Sequence, residues 1–155
     1  GIVPESIYKN YPNYSFEYAN PATLKPLLEE WPNVNFNAAH FGISNHKDYD
    51  FEDEMISMMS VYDNLYVDIG ATAWGNSEGT DKTTSFIKRA INEGVENKIL
   101  YASDEMVWPD AVRVSIDYIK NADFLTVQQK KKILYWNAAT YLKLSDEEVA
   151  SHFRP

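Results

Sequence analysis

The sequence predicts an α/β fold built around a parallel sheet, and three observations indicate it. Three short apolar segments, VNFNAAHF, LYVDIG and ILYASD, are each followed by a polar loop and a longer segment of helical periodicity. The intervals between them are long enough for the helical crossover that parallel neighbours require. The 155 residues, 45% of them hydrophobic, suffice to bury one core. We therefore predict a single domain over residues 1–155, with about three βα units followed by C-terminal helices.

The start of the chain is predicted to be a loop followed by a helix. Residues 1–20 are rich in Tyr, Pro and Asn and show no sustained period. In PATLKPLLEEW, apolar residues recur at helical spacing from Leu24 to Trp31, and Pro21 suits a first turn, although Pro26 weakens the pattern. The first strand candidate, VNFNAAHF, and the polar loop GISNHKDYD come next.

The remaining helices follow from periodicity and capping. In FEDEMISMMSVYDN, Met55, Met58 and Met59 recur on one helix face, which is typical of a buried core. The second strand leads through the loop ATAWGNSEGTDK into the helix TTSFIKRAINEGVEN, and the third leads through EMVWP into DAVRVSIDYIKNAD. The pattern TVQQKKKILYWNAATYLKL predicts a long helix. A C-terminal helix is predicted within residues 145–155, where Ser145 and Glu148 resemble a capping box.

Composition excludes several classes of function. The formal net charge is −9, from 23 acidic and 14 basic side chains, which disfavours nucleic acid and anionic membranes as partners. Without cysteine, the chain has neither a disulfide nor a thiolate metal site. No apolar run approaches the roughly 18 residues of a membrane span, and the N-terminus lacks the pattern of a signal peptide. We expect a soluble, cytoplasmic protein that acts on a small molecule.

Polar residues end each of the three predicted strands, and they are the candidate site. These residues are His40, Asp68 and Asp104, and Gly42 would allow a sharp turn after the first strand. Parallel strands bring their carboxyl ends to one edge of the sheet, so we expect these side chains to be neighbours, with Asp68 between the other two. The alternative is that His40 binds a backbone group and Asp104 caps the next helix.

Four segments in order, AHFG, NLYVDIG, KILYASDEMVWP and KKILYWNAATYLKL, carry a resemblance to a known family. Together they resemble landmarks of the amidohydrolase-related metal-dependent hydrolases, in the branch that includes the aminocarboxymuconate-semialdehyde decarboxylase-like enzymes. The resemblance extends over residues 21–144. It implies the C-terminal portion of a (β/α)₈ TIM barrel.

The resemblance also implies roles for individual residues. Asp104 corresponds to the metal-binding aspartate that orients or deprotonates a metal-activated water, and His40 to a histidine that acts as acid and base or binds a second metal. Asp68 is expected to support the site by hydrogen bonding, and Asn137 to be structural. The implied cofactor is a divalent metal such as Zn²⁺, which lowers the pKa of bound water toward neutrality.

The chain departs from the family pattern in its histidines. The family builds its metal site from a His-x-His pair after the first strand and another His after the fifth, and this chain has neither. The other histidines are His46 and His152, and neither is at a position that corresponds to a metal ligand of the family. The resemblance therefore implies the C-terminal half of a larger enzyme, with a sheet whose two open edges would pair with a missing N-terminal half or with another copy.

Several functions remain open from the sequence. The first is a metal-dependent hydrolase acting on a small organic substrate, with a decarboxylase of the same family as its alternative. A catalytically incompetent fragment is also compatible with the missing ligands. A fourth function, of a different class, is a small-molecule binding module that uses the aromatic residues Tyr8, Tyr11, Tyr14, Trp74 and Trp108.

Overall fold

The centre of the molecule is a parallel sheet of three short strands. A computed structural model describes residues 20–43, 51–74 and 77–154 of the chain. Within them, strands β1 (Phe36–Ala38), β2 (Leu65–Asp68) and β3 (Ile99–Leu100) lie in the order β1–β2–β3. Both neighbouring pairs are parallel. The predicted α/β class and the central place of the Asp68 strand are confirmed. Each strand is shorter than its apolar segment: β1 ends before His40 and β3 ends before Asp104.

Helices surround this sheet. The described residues form α1 (Lys25–Glu30), α2 (Glu52–Val61), α3 (Ser77–Asn92), α4 (Asp110–Asn121), α5 (Val127–Lys131), α6 (Asn137–Tyr141) and α7 (Asp146–Ser151). Tighter 3₁₀ turns span Pro21–Leu24, Ala39–Gly42 and Glu96–Lys98, and a π-helical turn spans Lys132–Trp136. None of these helices is long and apolar enough to cross a membrane.

Two of the predicted helices illustrate how the observed extents differ from the predicted ones. Helix α3 begins at Ser77, within the predicted loop. The sequence pattern favoured a loop there because the first turns of this helix are polar and include Gly79. The long helix predicted before residue 145 is divided by the π-helical turn into α5 and α6. The predicted capping box of α7 is confirmed: the Ser145 hydroxyl accepts from the Glu148 N–H at 3.3 Å. Hydrogen bonds from the Ser145 main chain and then its hydroxyl hold the pKa of Glu148 below its usual value.

The two faces of the sheet differ in chemistry. One face is apolar, and its core cluster reaches α1, α2 and α3 through Leu28, Met59 and Phe86. The predicted methionine core is confirmed, since the three methionines of α2 are buried. Side chains alternate between faces along a strand, so the opposite face carries Tyr66 and Asp68. There the Tyr66 ring meets the Tyr141 ring of α6 edge-on, with centroids 5.2 Å apart.

The outer edge of β3 is occupied by the C-terminal helical region, which differs from the two open edges predicted. The Tyr101 N–H donates to the Ile133 carbonyl at 3.0 Å. The Asn137 side-chain amide donates to the carbonyls of Glu96 at 2.9 Å and Ile99 at 2.7 Å. The predicted loop up to residue 19 and His46 lie outside the described residues.

Candidate functional site

A left-handed turn places His40 at the carboxyl end of β1. His40, Phe41 and Gly42 have φ angles of 60°, 42° and 76°. For residues other than glycine this conformation is strained, so packing must hold it. The Phe41 ring is fully buried and stacks on Phe86 with ring centroids 4.3 Å apart. The buried Phe41 therefore fixes the turn that presents the neighbouring histidine.

The His40 ring has a defined hydrogen-bonding direction. Its Nδ1 lies 2.7 Å from the Gly70 carbonyl oxygen. Because a carbonyl can only accept, Nδ1 carries the hydrogen, and in the neutral ring Nε2 is left with a lone pair. That Nε2 faces the Asp104 carboxylate, with 3.6 Å between Nε2 and Oδ2. The structure thus brings together His40 and Asp104, two predicted site residues that are far apart in the sequence.

Gly70 lies between the three predicted residues. A Cβ atom added to Gly70 would stand 3.0 Å from both the Asp104 Cβ and the Asp68 Oδ1, and 3.5 Å from the His40 ring. The side chains of Asp68, Asp104 and His40 therefore occupy the space that a side chain on residue 70 would need. Asp104 follows β3 in a left-handed conformation, with φ 51°, and its side chain is half exposed. The carboxylate is accessible to a ligand.

Asp68 is buried and binds only neutral donors among the described residues. Its Oδ1 accepts from the main-chain N–H groups of Gly70 at 2.9 Å and His40 at 3.2 Å. Its Oδ2 accepts from the Asn37 side-chain amide at 2.7 Å. Asp68 thus holds the turn that carries His40, while its functional contribution stays a prediction. Asn37 stands out in the sequence as a polar residue within an apolar strand segment, but the sequence assigns it no role; the structure shows that it binds Asp68.

Two tryptophans flank the loop that follows Asp104. The Trp74 indole N–H donates to the Ser103 carbonyl at 2.5 Å. The Trp74 and Trp108 rings meet edge-on at 5.8 Å and 68°. The Glu105 carboxylate accepts from the Trp108 N–H. The two tryptophans of the predicted binding module therefore lie together, while its three tyrosines fall outside the described residues.

The other candidates lie apart from this pair. His152 contacts the Tyr135 hydroxyl at 2.8 Å in the C-terminal region. Asn137 binds main-chain carbonyls, which is a structural contact. In the part of the chain that the structure describes, no group of three or more His, Asp or Glu side chains could hold a metal ion.

Comparison with known proteins identifies the family. The family described as Amidohydrolase matches residues 7–144. This chain belongs to the amidohydrolase family. The amidohydrolase family that the resemblance implies is therefore confirmed. Protein fluG of Emericella nidulans is 23% identical to the chain over 145 residues, a match that covers 83% of the chain and 16% of that protein. The chain thus spans a small part of this relative. No solved structure matches it.

Proposed function

We propose that this chain forms part of the active site of a metal-dependent hydrolase, built on part of a (β/α)₈ barrel and acting on a small organic substrate. The observation that carries the proposal is the His40 Nε2 lone pair directed at the Asp104 carboxylate, 3.6 Å away. Membership of the amidohydrolase family supports the class of reaction.

The geometry of this pair fits one side of a divalent-metal site. Nitrogen and oxygen ligands at 2.0–2.2 Å from a tetrahedral zinc ion lie about 3.4 Å apart, close to the separation of Nε2 and Oδ2. Both facing atoms are acceptors, so a cation or a proton between them would stabilise the arrangement. A catalytic zinc normally has three protein ligands, and the described residues supply no third to this pair. We therefore propose that they contribute two positions of a larger set.

Each residue of this site would have its own role in the reaction. A divalent ion bound here would act as a Lewis acid and lower the pKa of water toward neutrality. Asp104 Oδ2 and His40 Nε2 would hold the ion, and the second oxygen of the Asp104 carboxylate would accept a proton from the attacking water and return it to the leaving group. The Gly70 carbonyl fixes the tautomer of His40, and Asp68 fixes its main chain.

Metal titration tests this proposal. We expect Zn²⁺ or Mn²⁺ to bind the 155-residue chain weakly in isothermal titration calorimetry, since two ligands leave most of the ion hydrated. Asp104→Asn and His40→Ala should each abolish this binding. Asp123→Asn, which removes an exposed carboxylate elsewhere, is the matched control and should leave it unchanged. Binding that survived both site substitutions would contradict the proposal.

In a protein that completes the barrel, the two substitutions test the two roles. Asp104→Asn removes a charged ligand and should lower turnover by orders of magnitude together with metal content. His40→Asn should lower both turnover and metal content, because His40 Nε2 is the proposed second ligand; a loss of turnover with the metal retained would instead make His40 the proton-transfer group. Metal content measured beside activity decides between these roles.

A further inference from the structure

The loop after Asp104 exposes three large apolar side chains in succession. Met106, Val107 and Trp108 are 89%, 91% and 45% exposed. Single exposed apolar residues are ordinary, whereas adjacent ones can form a surface that contacts a ligand or partner. This group begins two residues after the carboxylate of the candidate site.

This loop is held in place by contacts on both of its sides. One oxygen of the Glu105 carboxylate accepts from the N–H groups of Val107 and Trp108. The Trp108 ring rests edge-on against Trp74, and Trp74 is tied to the Ser103 carbonyl beside Asp104. An ordered aromatic ring loses little conformational freedom when a ligand binds.

The other oxygen of the Glu105 carboxylate is buried and has no hydrogen-bond partner among the described residues. The hydrogen bonds of this carboxylate therefore go to its own loop, where they hold the main chain that carries Trp108.

We propose that Trp108 forms a subsite for an aromatic or similarly flat, unsaturated group of the substrate, and that Glu105 is its positioning residue. The proposal rests on the proposed function for the identity of the ligand as substrate. The contact of Trp108 with Trp74 leaves the Trp108 ring half exposed, and flat rings gain attraction from stacking beyond their buried area. Trp108 lies four residues after Asp104, and Trp74 connects its ring to Ser103, the residue before Asp104.

Two amides of equal size test the subsite. Benzamide and cyclohexanecarboxamide share a head group and a six-carbon ring, but only benzamide is flat. Binding to the whole chain is measured by ligand-observed NMR with EDTA present. We expect benzamide to bind roughly threefold to tenfold more tightly. Trp108→Leu should bring the ratio of affinities near one. Trp31→Leu is the control, since Trp31 is 53% exposed at the end of α1.

A second pair of variants tests the positioning role. Glu105→Ala removes the acceptor of both N–H groups and should reduce the preference for benzamide. Glu105→Gln keeps an amide oxygen that can accept both bonds and should restore the preference, which a general loss of folding would not allow. Circular dichroism verifies that each variant is folded.

The result separates this subsite from the metal chemistry. Equal affinities in the parent chain, or a preference that persists in Trp108→Leu, would overturn the subsite. Because EDTA removes divalent ions, a Trp108-dependent preference supports the subsite even if the metal titration fails. A successful titration together with equal amide affinities would overturn the subsite alone.

Discussion

At the scale of single residues, Asp68 shows how one carboxylate can organise the ends of two strands. It accepts hydrogen bonds from His40, Gly70 and Asn37, which belong to the ends of two strands. A carboxylate has acceptor capacity for all three donors. An apolar side chain would leave all three donors without their partner, in a place where water has little access.

Replacement of Asp68 should therefore reduce stability in proportion to the acceptors removed. Asp68→Ala should lower the free energy of unfolding by about 2–4 kcal/mol, since bonds to a charged acceptor are among the stronger ones. Asp68→Asn should cost less, because the Asn37 amide can rotate to present its oxygen to the new amino group. Urea denaturation measures both. Asp123→Ala, at an exposed position, should change stability by less than about 0.5 kcal/mol. An Asp68→Ala variant as stable as this control would contradict the argument.

The sequence predicted that three polar residues would be neighbours, but it did not predict how their side chains are oriented. His40, Asp68 and Asp104 stand out because each ends an apolar segment, and parallel strands end at one edge. The left-handed turn at His40 depends on the burial of Phe41 against Phe86, a contact between distant segments. The tautomer of His40 likewise depends on the Gly70 carbonyl, which lies in the segment after the neighbouring strand β2.

At the scale of elements, periodicity predicted the helices and strands but not their interruptions. The methionine spacing of α2 and the capping box of α7 are local signals, and both predictions are confirmed. The π-helical turn within TVQQKKKILYWNAATYLKL has no local signal, because it comes with a tertiary contact. Its Ile133 carbonyl accepts from Tyr101 at the outer edge of β3. A π turn widens the helix and is often found at functional sites.

Asn137 at the start of α6 should contribute strongly to this attachment. It is buried, and its amide donates to the carbonyls of Glu96 and Ile99. We expect Asn137→Ala to lower the free energy of unfolding by about 1–3 kcal/mol, because two buried acceptors lose their donor. Asn121→Ala, at the exposed end of α4, is the control and should have little effect. Equal denaturation midpoints for the two variants would show that Asn137 does not secure the edge of β3.

At the scale of the whole molecule, the sheet is closed at one edge by its own C-terminal helical region. The opposite edge strand, β1, pairs only with β2 among the described residues. An edge strand of this kind invites another strand to pair with it. We therefore expect the predicted partner, a missing N-terminal half or a second copy of the chain, to pair with β1. This stays a prediction.

Alkaline pH should destabilise the molecule as a whole through Tyr66. Burial, and then the nearby charge of Asp63, raise the pKa of Tyr66 above its usual 10.0. The folded protein therefore keeps this proton at pH values where the unfolded chain has lost it. Stability from this group is fully present below pH 10 and is lost as the pH rises through the folded pKa. The chain, already at a net charge of −9, then acquires a further negative charge beside α6.

Tyr66→Phe should lose less stability than the parent between pH 8 and pH 11, because Phe has no proton to release. Urea denaturation at both pH values measures the two losses. Burial lowers the pKa of Lys98 below its usual 10.5, so the stability contributed by Lys98 rises with pH up to that value. This opposes the effect of Tyr66 on stability. The variant must therefore be compared with the parent, in which Lys98 is the same. Tyr118, whose pKa burial also raises, remains in both proteins and cancels. If Tyr66→Phe lost as much stability as the parent, ionisation of the buried Tyr66 would not be what limits the fold at high pH.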